Sequence, residues 1–344
     1  MKKKLSPILG LLLLVSTPNL AQDNLWNSSR PDGHAPISVM GNHLHKKGEF
    51  MLSYRFMQMR MEGNLSSSES ISNVDIYQNY MVAPQAMHMK MHMLGFMFAP
   101  SNKLTLLLMV NYLNNDMDLI TKMGVDFTTK SSGLSDLKLG GLLKLWNKNK
   151  QTLHANFGLS LPTGNIDQRD DTPMAANSPL AYPMQLGSGT VDPFLGGTYL
   201  GQGNKSSWGI QSVFDFKLGE NAEGYTRGNR FNFISWYSLK LTKNISISSS
   251  LSYSKITKIK GKDPDLNPMM MPLFNTLNSG RTQFDLGLGT NLYFPKLKGI
   301  RFSAEVKKPL SQSVSGIQMK NKLCAVFGVQ YAFANKSKAP KKKL

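Results

Sequence analysis

Two stretches near the N-terminus decide the fold: FMLSYRFMQMRM at residues 50–61 and AMHMKMHMLGFMFA at residues 86–99. Methionine recurs at alternate positions in much of both stretches. Successive side chains point to opposite faces of a β-strand, whereas an α-helix repeats about every 3.6 residues. The spacing therefore predicts two strands, and the polar residues between them predict the first hairpin of an antiparallel sheet.

Similar alternating runs continue to the end of the chain and predict twelve strands. In NISISSSLSY, for example, Ile245 and Ile247 share one face, and Ser246 and Ser248 share the other. An apolar face opposed by a polar one is typical of an outer-membrane barrel, with lipid outside and water inside. A soluble β-sandwich has the same alternation, with its apolar face in the core. The predicted strands are 49–61, 85–98, 103–113, 134–146, 151–161, 189–200, 206–217, 229–241, 244–254, 281–294, 299–308 and 319–333.

The connections between these strands favour the barrel. Long breaks alternate with short ones, as in barrels with short periplasmic turns and long outer loops. The long breaks are 62–84, 114–133, 162–188, 218–228, 255–280 and 309–318. Aromatic residues also mark the strand ends beside the short turns, where a membrane interface is expected. The sequence thus predicts an all-β protein, a single antiparallel transmembrane barrel of about twelve strands over residues 48–333.

The two ends of the chain are predicted to lie outside this barrel. Residues 1–21 have a basic start, a short apolar run and Ala21 before a cleavage site, which predicts an export signal. Residues 22–47 are rich in Pro and Gly, so we expect an irregular segment that lies in the periplasm or plugs the barrel mouth. Residues 334–344 predict a basic, disordered tail. Together these features predict the outer membrane of a Gram-negative bacterium.

Net charge and cysteine content limit the classes of partner and metal site that are possible. The net charge of +19 fits a basic surface beside outer-membrane lipid and lipopolysaccharide, or a lumen that prefers anions. The basic residues are scattered, which argues against nucleic acid as a partner. Cys324 is the only cysteine, which excludes an internal disulfide and a thiolate metal cluster. The ending Tyr331-Ala332-Phe333 resembles the aromatic signal that barrel-assembly machinery recognises, although eleven residues follow it here.

Two motifs carry a family resemblance. GLSLPTG at residues 158–164 and LGSGTVD at residues 186–192 resemble the outer-membrane transporter family named for the meta-pathway of phenol degradation. RPDGHAP at residues 30–36 and the methionine hairpin are similar to a methionine-rich subgroup of transporters in that family. The resemblance implies an outer-membrane transporter. It supplies no binding residues.

The polar face of the predicted barrel contains the candidate lumen residues. We expect a porin-like channel that passes a small solute by diffusion, with selectivity set by the polarity of the lumen. The candidates for lining it are Arg55, Lys138, Lys144, His154, Asp215, Arg301 and Glu305. Enzymes are disfavoured, because His154-Ala155-Asn156 lacks the serine of a His-x-Ser pair and no Gly-x-Ser-x-Gly elbow occurs. A lipid-modifying barrel enzyme and a metal-binding barrel without transport remain as alternatives.

The methionine hairpin suggests a soft metal. Thioether and imidazole groups suit Cu(I) or Ag(I), although methionine is also a flexible apolar filler and no resident cofactor is required. On the first strand the methionines oppose Phe50 and Tyr54 and are expected in the lumen. On the second strand the methionine face is the more apolar one, which predicts that it faces lipid and that His88 and His92 point inward. The candidate metal ligands are Met51, Met57, Met59, Met61, His88, His92, His34, Met40, His43 and His45.

Overall fold

The structure, a computed structural model, describes residues 26–297 and 299–333. Twelve long antiparallel strands bond to one another in chain order, and the last pairs with the first, so the sheet closes into a barrel. The predicted twelve-stranded barrel is confirmed. The strands are β1 (Phe50–Ser66), β2 (Val82–Phe98), β3 (Leu104–Thr121), β4 (Leu137–Lys148), β5 (Gln151–Leu161), β6 (Asp192–Gln202), β7 (Ser206–Asp215), β8 (Arg230–Lys240), β9 (Ile245–Ile256), β10 (Arg281–Phe294), β11 (Ile300–Val314) and β12 (Ile317–Phe333).

The barrel wall has an apolar exterior and a largely polar interior. On β9, Ile247 is 44% exposed and Leu251 is 54% exposed, whereas Ser246 is fully buried in the interior. The arrangement is the reverse of a soluble β-sandwich, in which the apolar face would be the buried one. An apolar band around a closed barrel matches a lipid environment, since closure leaves no unpaired strand edge.

Two of the predicted long loops differ from the structure. Most of 114–133 is strand, because β3 continues to Thr121 and pairs with a further strand, Asp126–Leu134. The predicted loop 309–318 is a tight turn at Ser315–Gly316, where Gly316 has a φ of +64°. In both places the strands extend beyond the apolar band, so polar residues replace the apolar ones on the outer face. The sequence pattern of a membrane strand is lost there although the backbone pairing persists.

The long outer loops fold into a layer over one end of the barrel. Arg169 bridges two of them through ion pairs with Asp167 and Asp265 at 2.7 and 2.8 Å. No helix among the described residues is long and apolar enough to cross a membrane. The layer contains the strands Glu69–Ile71, Arg169–Asp170, Ser178–Pro179, Tyr225–Thr226 and Lys260–Gly261, the helix Asn73–Ile76, and the 3-10 turns Tyr182–Met184, Pro272–Phe274 and Thr276–Asn278; a further 3-10 turn, Pro295–Leu297, lies at the opposite end.

Residues 26–49 enter the barrel at the end with the short turns, and residues 31–45 are buried or half-buried there. We name residues 26–49 the plug segment. It enters beside β6 and β11, rises to an apex at Ser38–Gly41, and returns to the start of β1. Asp32, Val39 and His43 are each at most 2% exposed. The predicted export signal and C-terminal tail lie outside the described residues.

Candidate functional site: the barrel lumen

The base of the plug segment is held by one buried arginine. Arg301 on β11 donates to the carbonyl oxygens of Pro31, Arg30 and Ser28 at 2.6, 2.8 and 3.0 Å. Only 2% of Arg301 is exposed. Hydrogen bonds from a charged donor are stronger than neutral ones, and a guanidinium supplies several donors in a fixed geometry. Arg301 therefore fixes the irregular backbone between Ser28 and Pro31 to the barrel wall.

The apex of the plug segment is held by polar side chains from the same side of the barrel. Glu305 accepts a bond from the Ser38 amide at 3.0 Å, and Gln211 donates to the Met40 carbonyl at 2.8 Å. The Gly41 carbonyl lies 3.0 Å from Nε2 of His154 and 2.9 Å from Nδ2 of Asn156. These contacts satisfy buried backbone groups that have no secondary structure of their own.

Gly41 allows the chain to reverse at this apex. Its φ is +57°, in the left-handed region, and a Cβ there would lie 3.0 Å from both Asn156 and Leu142. A larger residue would be strained in backbone and crowded in side chain. The turn that brings the plug segment back toward β1 therefore depends on a glycine at this position.

These anchoring side chains belong to a continuous polar surface, which we name the polar wall. It is formed by the inward-facing residues of β4 to β11. Carboxylates of this wall neutralise two lysines: Lys138 lies 3.1 Å from Asp215, and Lys217, just beyond the end of β7, pairs with Asp192. The polar wall therefore combines fixed hydrogen-bond donors with ion pairs.

The opposite side of the lumen is coated with thioethers, and we name it the methionine wall. Neighbouring strands place methionines directly opposite one another, as in Met51–Met97 and Met57–Met91. Its members are Met51, Met57, Met59 and Met61 on β1; Met87, Met89, Met91, Met93 and Met97 on β2; and Met109 and Met117 on β3. The prediction that the β1 methionines face the lumen agrees with this placement.

The predicted orientation of β2 is wrong. Met87 is fully buried and Met93 is 8% exposed, both on the inner face. His92 lies on the outer surface, where its Nδ1 is 2.8 Å from the Tyr54 hydroxyl, and His88 pairs in register with the exposed Arg60. Alternation separates two faces without saying which is inside, and thioether is apolar enough to be mistaken for a lipid-facing group. The register with β1 decides the orientation.

A chain of cavities runs through the lumen. A vestibule of about 330 Å³ lies beneath the outer loops and is lined by Asp136 and Arg227 among others. It shares Lys138 and Asp215 with a central cavity of about 450 Å³. The central cavity shares Met40 with a third space, which we name the methionine chamber. The cavities follow one another from the outer loops to the apex of the plug segment.

The methionine chamber, of about 300 Å³, lies between the plug apex and the methionine wall. Met57, Met59, Met91 and Met93 line it, together with Met40 of the plug segment. Arg55 also lines it and is 7% exposed. The Arg55 Nη1 contacts the sulfurs of Met40 and Met93, and its Nε has no hydrogen-bond partner among the described residues.

The structure places the seven lumen candidates on the inner face of the barrel. Arg55 lines the chamber; His154, Arg301 and Glu305 hold the plug segment; and Lys138 pairs with Asp215. Lys144 is opposite His154 in the β4–β5 register and so shares its face. Sequence reasoning missed Gln211, Asn156 and the β2 methionines. The alternation along each strand separates its two faces. It does not distinguish Gln211 and Asn156 from other polar residues of the inner face, and only their contacts with the plug segment do so.

Three of the predicted metal ligands come together in the plug segment. The rings of His34 and His43 lie 3.9 Å apart between centroids, and those of His43 and His45 lie 4.8 Å apart. Nε2 of His43 and Nε2 of His45 have no partner among the described residues. Burial lowers the pKa of His34 and of His43 well below the usual value, and nearby Arg301 adds to the effect on both. Within residues 26–297 and 299–333, no three His, Cys, Asp or Glu side chains are arranged to hold a metal ion.

An apolar pocket of about 190 Å³ lies among the outer loops, outside the vestibule. Met117 and Met184 form its buried floor, and Thr172 and Asp265 lie at its edge. The short turn Tyr182–Met184 separates it from the vestibule, since Tyr182 lines one space and Met184 the other. The methionine wall thus continues outward into the loop layer through the cluster that contains Met87, Met117 and Met184.

The family is identified by a match over more than half of the chain. Residues 83–307 match the family described as "Putative MetA-pathway of phenol degradation", and the chain belongs to that family. No curated protein sequence matches the chain.

Solved structures share the barrel fold. The chain is similar to an outer-membrane channel from Pseudomonas putida F1, with a TM-score of 0.59 and 15% identity over 86% of this chain and 100% of that one. It is less similar to a FadL homologue from Pseudomonas aeruginosa, with a TM-score of 0.45 and 10% identity over 90% of this chain and 99% of that one. The protein is an outer-membrane β-barrel of the Gram-negative type.

Proposed function

We propose that this barrel is an outer-membrane channel that passes a small solute by passive diffusion. The observation that carries the proposal is the chain of cavities from the vestibule to the methionine chamber. Twelve strands give a lumen between the side-chain-filled interior of small barrels and the open pore of large ones. The similarity to an outer-membrane channel from Pseudomonas putida F1 agrees with transport.

The plug segment is the barrier in this proposal. Its contacts with Arg301, Glu305 and Gln211 hold it across the lumen below the methionine chamber. A solute that enters from the outer loops would stop at the apex until the segment shifts or leaves. The irregular backbone of residues 26–49 suits such movement, because no ladder of strand pairing has to break.

The proposal includes no chemistry on the solute. His154, the residue nearest to a catalytic motif, contacts the plug carbonyl of Gly41. The lipid-facing band would meet outer-membrane lipid and lipopolysaccharide, and the barrel-assembly machinery would meet the chain during insertion.

Solute flux into liposomes tests this function. Purified protein should admit a small neutral sugar slowly, and removal of residues 30–44 should accelerate entry. A matched control deletes residues 220–223 from an outer loop, which leaves the plug segment intact. Equal and negligible entry for all three proteins would contradict a channel.

A second candidate function is retention of Cu(I) or Ag(I) by the methionine wall. One observation favours it: Met61, Met87 and Met117 stand directly opposite one another on three neighbouring strands, and they belong to one apolar cluster. Three adjacent thioethers are a soft donor set that would exclude hard cations. The other proposed ligands that share the lumen are Met51, Met57, Met59, Met40, His34, His43 and His45.

A triple substitution of Met61, Met87 and Met117 by leucine tests the metal candidate. Leucine preserves the apolar volume and removes the sulfur, so folding should be nearly unchanged. Ag(I) bound to the purified barrel, measured by elemental analysis after gel filtration, should fall if the wall holds metal. Equal retention by both proteins would rule the candidate out.

A further inference from the structure

Arg55 is a buried cation with no anionic partner within residues 26–297 and 299–333. The contacts of its Nη1 are the sulfurs of Met40 and Met93, which are weak acceptors, and its Nε has no partner among the described residues. Three other lumenal cations differ from it: Lys138 and Lys217 have carboxylates, and Arg301 has three carbonyl oxygens. Arg55 is therefore the exception among these residues.

An uncompensated buried charge destabilises a folded protein, whereas an apolar residue of similar length would not. Methionine stands on both sides of Arg55 on the inner face of β1, at Met51 and Met57, with Ser53 between. Another methionine at this position would complete the wall. The presence of a guanidinium there requires a reason other than the stability of the barrel.

The methionine chamber supplies such a reason. Arg55 and Lys307 line it as cations, and Asp285 lines it as a carboxylate. Asp285 already accepts a bond from Gln283 at 2.6 Å. The chamber thus has an excess of positive charge, and its Arg55 donors are not saturated by the protein.

The rest of the chamber surface is apolar and soft. Met57, Met91, Val326 and Ile37 line it. Its volume of about 300 Å³ exceeds that of a cavity of about 150 Å³ that holds one benzene molecule. Thioether sulfur contacts aromatic rings favourably. The chamber can hold one ring with a charged group and a few waters.

We propose that the methionine chamber binds a small organic anion, with its carboxylate on Arg55 and an aromatic ring against the methionine wall. The proposal rests on the proposed channel function and names the class of solute. An inorganic anion would use Arg55 and leave the apolar surface unused. A soft metal cation in this chamber would be repelled by Arg55 and Lys307, so the row of Met61, Met87 and Met117, none of which lines the chamber, is the favoured place for the metal candidate.

A binding experiment with para-fluorobenzoate tests this inference. The fluorine signal of the probe is followed by NMR as it is titrated with the full-length barrel in lipid nanodiscs. Wild type should broaden and shift the signal saturably. Arg55→Met should weaken binding at least tenfold, and Arg55→Lys should retain part of it, because lysine keeps the charge and loses the planar fork.

Arg60→Met is the matched control, since Arg60 lies on the same strand but faces outward and is 57% exposed. It should bind the probe like wild type. Thermal unfolding gives a second readout: Arg55→Met should melt at the same temperature as wild type or higher. A variant that folds well and no longer binds would establish that Arg55 serves a ligand.

Several outcomes would overturn the inference. Equal binding of the probe by wild type and Arg55→Met would show that Arg55 is not part of the binding site. If acetate displaces the probe as well as benzoate does, the aromatic ring does not contribute to binding. If benzyl alcohol displaces it equally well, the carboxylate does not contribute. If the barrel admits sugar into liposomes but binds no para-fluorobenzoate, the channel function stands and the proposed solute class falls.

Discussion

The polar wall and the methionine wall of the lumen make different contacts with the plug segment. The polar wall holds its base and its apex by directional bonds from Arg301, Glu305, Gln211 and His154. The methionine wall meets the apex mainly through the contact between Arg55 and Met40, and the chamber lies between them. The two surfaces therefore divide two tasks: one fixes the barrier, and the other leaves space for a solute.

The chemistry of the side chains explains this division. Amide, carboxylate and guanidinium groups bind backbone groups at fixed distances and angles, so a wall made of them specifies one position for the plug segment. Methionine has three rotatable bonds and a polarizable sulfur, so a wall made of it adapts to different shapes. A channel can keep its gate on the first surface and its solute on the second.

Removal of the plug segment should have the largest effect. Deletion of residues 30–44 removes the apex and its anchors, and it should join the methionine chamber to the opposite end of the barrel. Liposome swelling should accelerate by at least an order of magnitude. Swelling that stays at the wild-type rate would mean that the plug segment does not block the path.

Loss of an anchor on the polar wall should have the next largest effect. Arg301→Met removes three hydrogen bonds from a charged donor, each worth roughly 1.5–3 kcal/mol by general experience and not additive. The plug segment should then exchange its amide hydrogens faster, with Val39 as the reporter. Arg55→Met should leave that exchange unchanged. If Arg301→Met and Arg55→Met accelerate the exchange equally, the polar wall does not hold the plug segment more firmly than the methionine wall does.

Acid should weaken the barrier through the buried histidines. The docked plug segment lowers the pKa of His34 and His43, so docking is fully stabilised above their ordinary pKa of about 6.5. As the pH falls below that value, docking loses about 1.4 kcal/mol per pH unit for each histidine until the lowered pKa is reached.

Solute flux at pH 5 and at pH 8 measures this effect. Wild type should pass more solute at pH 5, and a double substitution of His34 and His43 by glutamine should show a smaller difference between the two pH values. The charged or titratable groups around the two rings are Arg301, Arg55, His45, His154 and Glu49. Glu49 contacts His45 at 3.4 Å. A flux that does not change with pH in wild type would contradict the role of the cluster.

Leucine substitutions in the methionine wall should have the smallest effect on stability. Met57→Leu, Met59→Leu and Met91→Leu conserve volume, and each should cost less than about 1.5 kcal/mol. Thermal unfolding checks this, with Gln211→Leu on the polar wall as the contrasting variant. A larger loss from one methionine than from Gln211 would show that the methionine wall also has a specific structural role.

The alternation of side chains predicted most of the barrel. It located the twelve strands, and the inward position of Arg55, Lys138 and Glu305 followed from the polar face of each strand. The same pattern failed at β2, because a thioether face is compatible with lipid and with a lumen. It also failed at 309–318, where the strands leave the membrane and the apolar face ends.

The contacts of the plug segment could not be predicted from the sequence, for a different reason. The segment has no periodicity, so nothing local relates His154 to Gly41 or Arg301 to Pro31. Those pairs are separated by 113 and 270 positions in the chain and meet only because the barrel closes. The chamber is likewise a product of closure, since its wall combines β1 and β2 with β12 and the plug segment.

The most direct test of a lumen closed by the plug segment is single-channel recording in planar bilayers. Wild type should show rare or small openings, and the protein that lacks residues 30–44 should show a stable, larger conductance. The same stable conductance in both proteins, or none in either, would contradict the account.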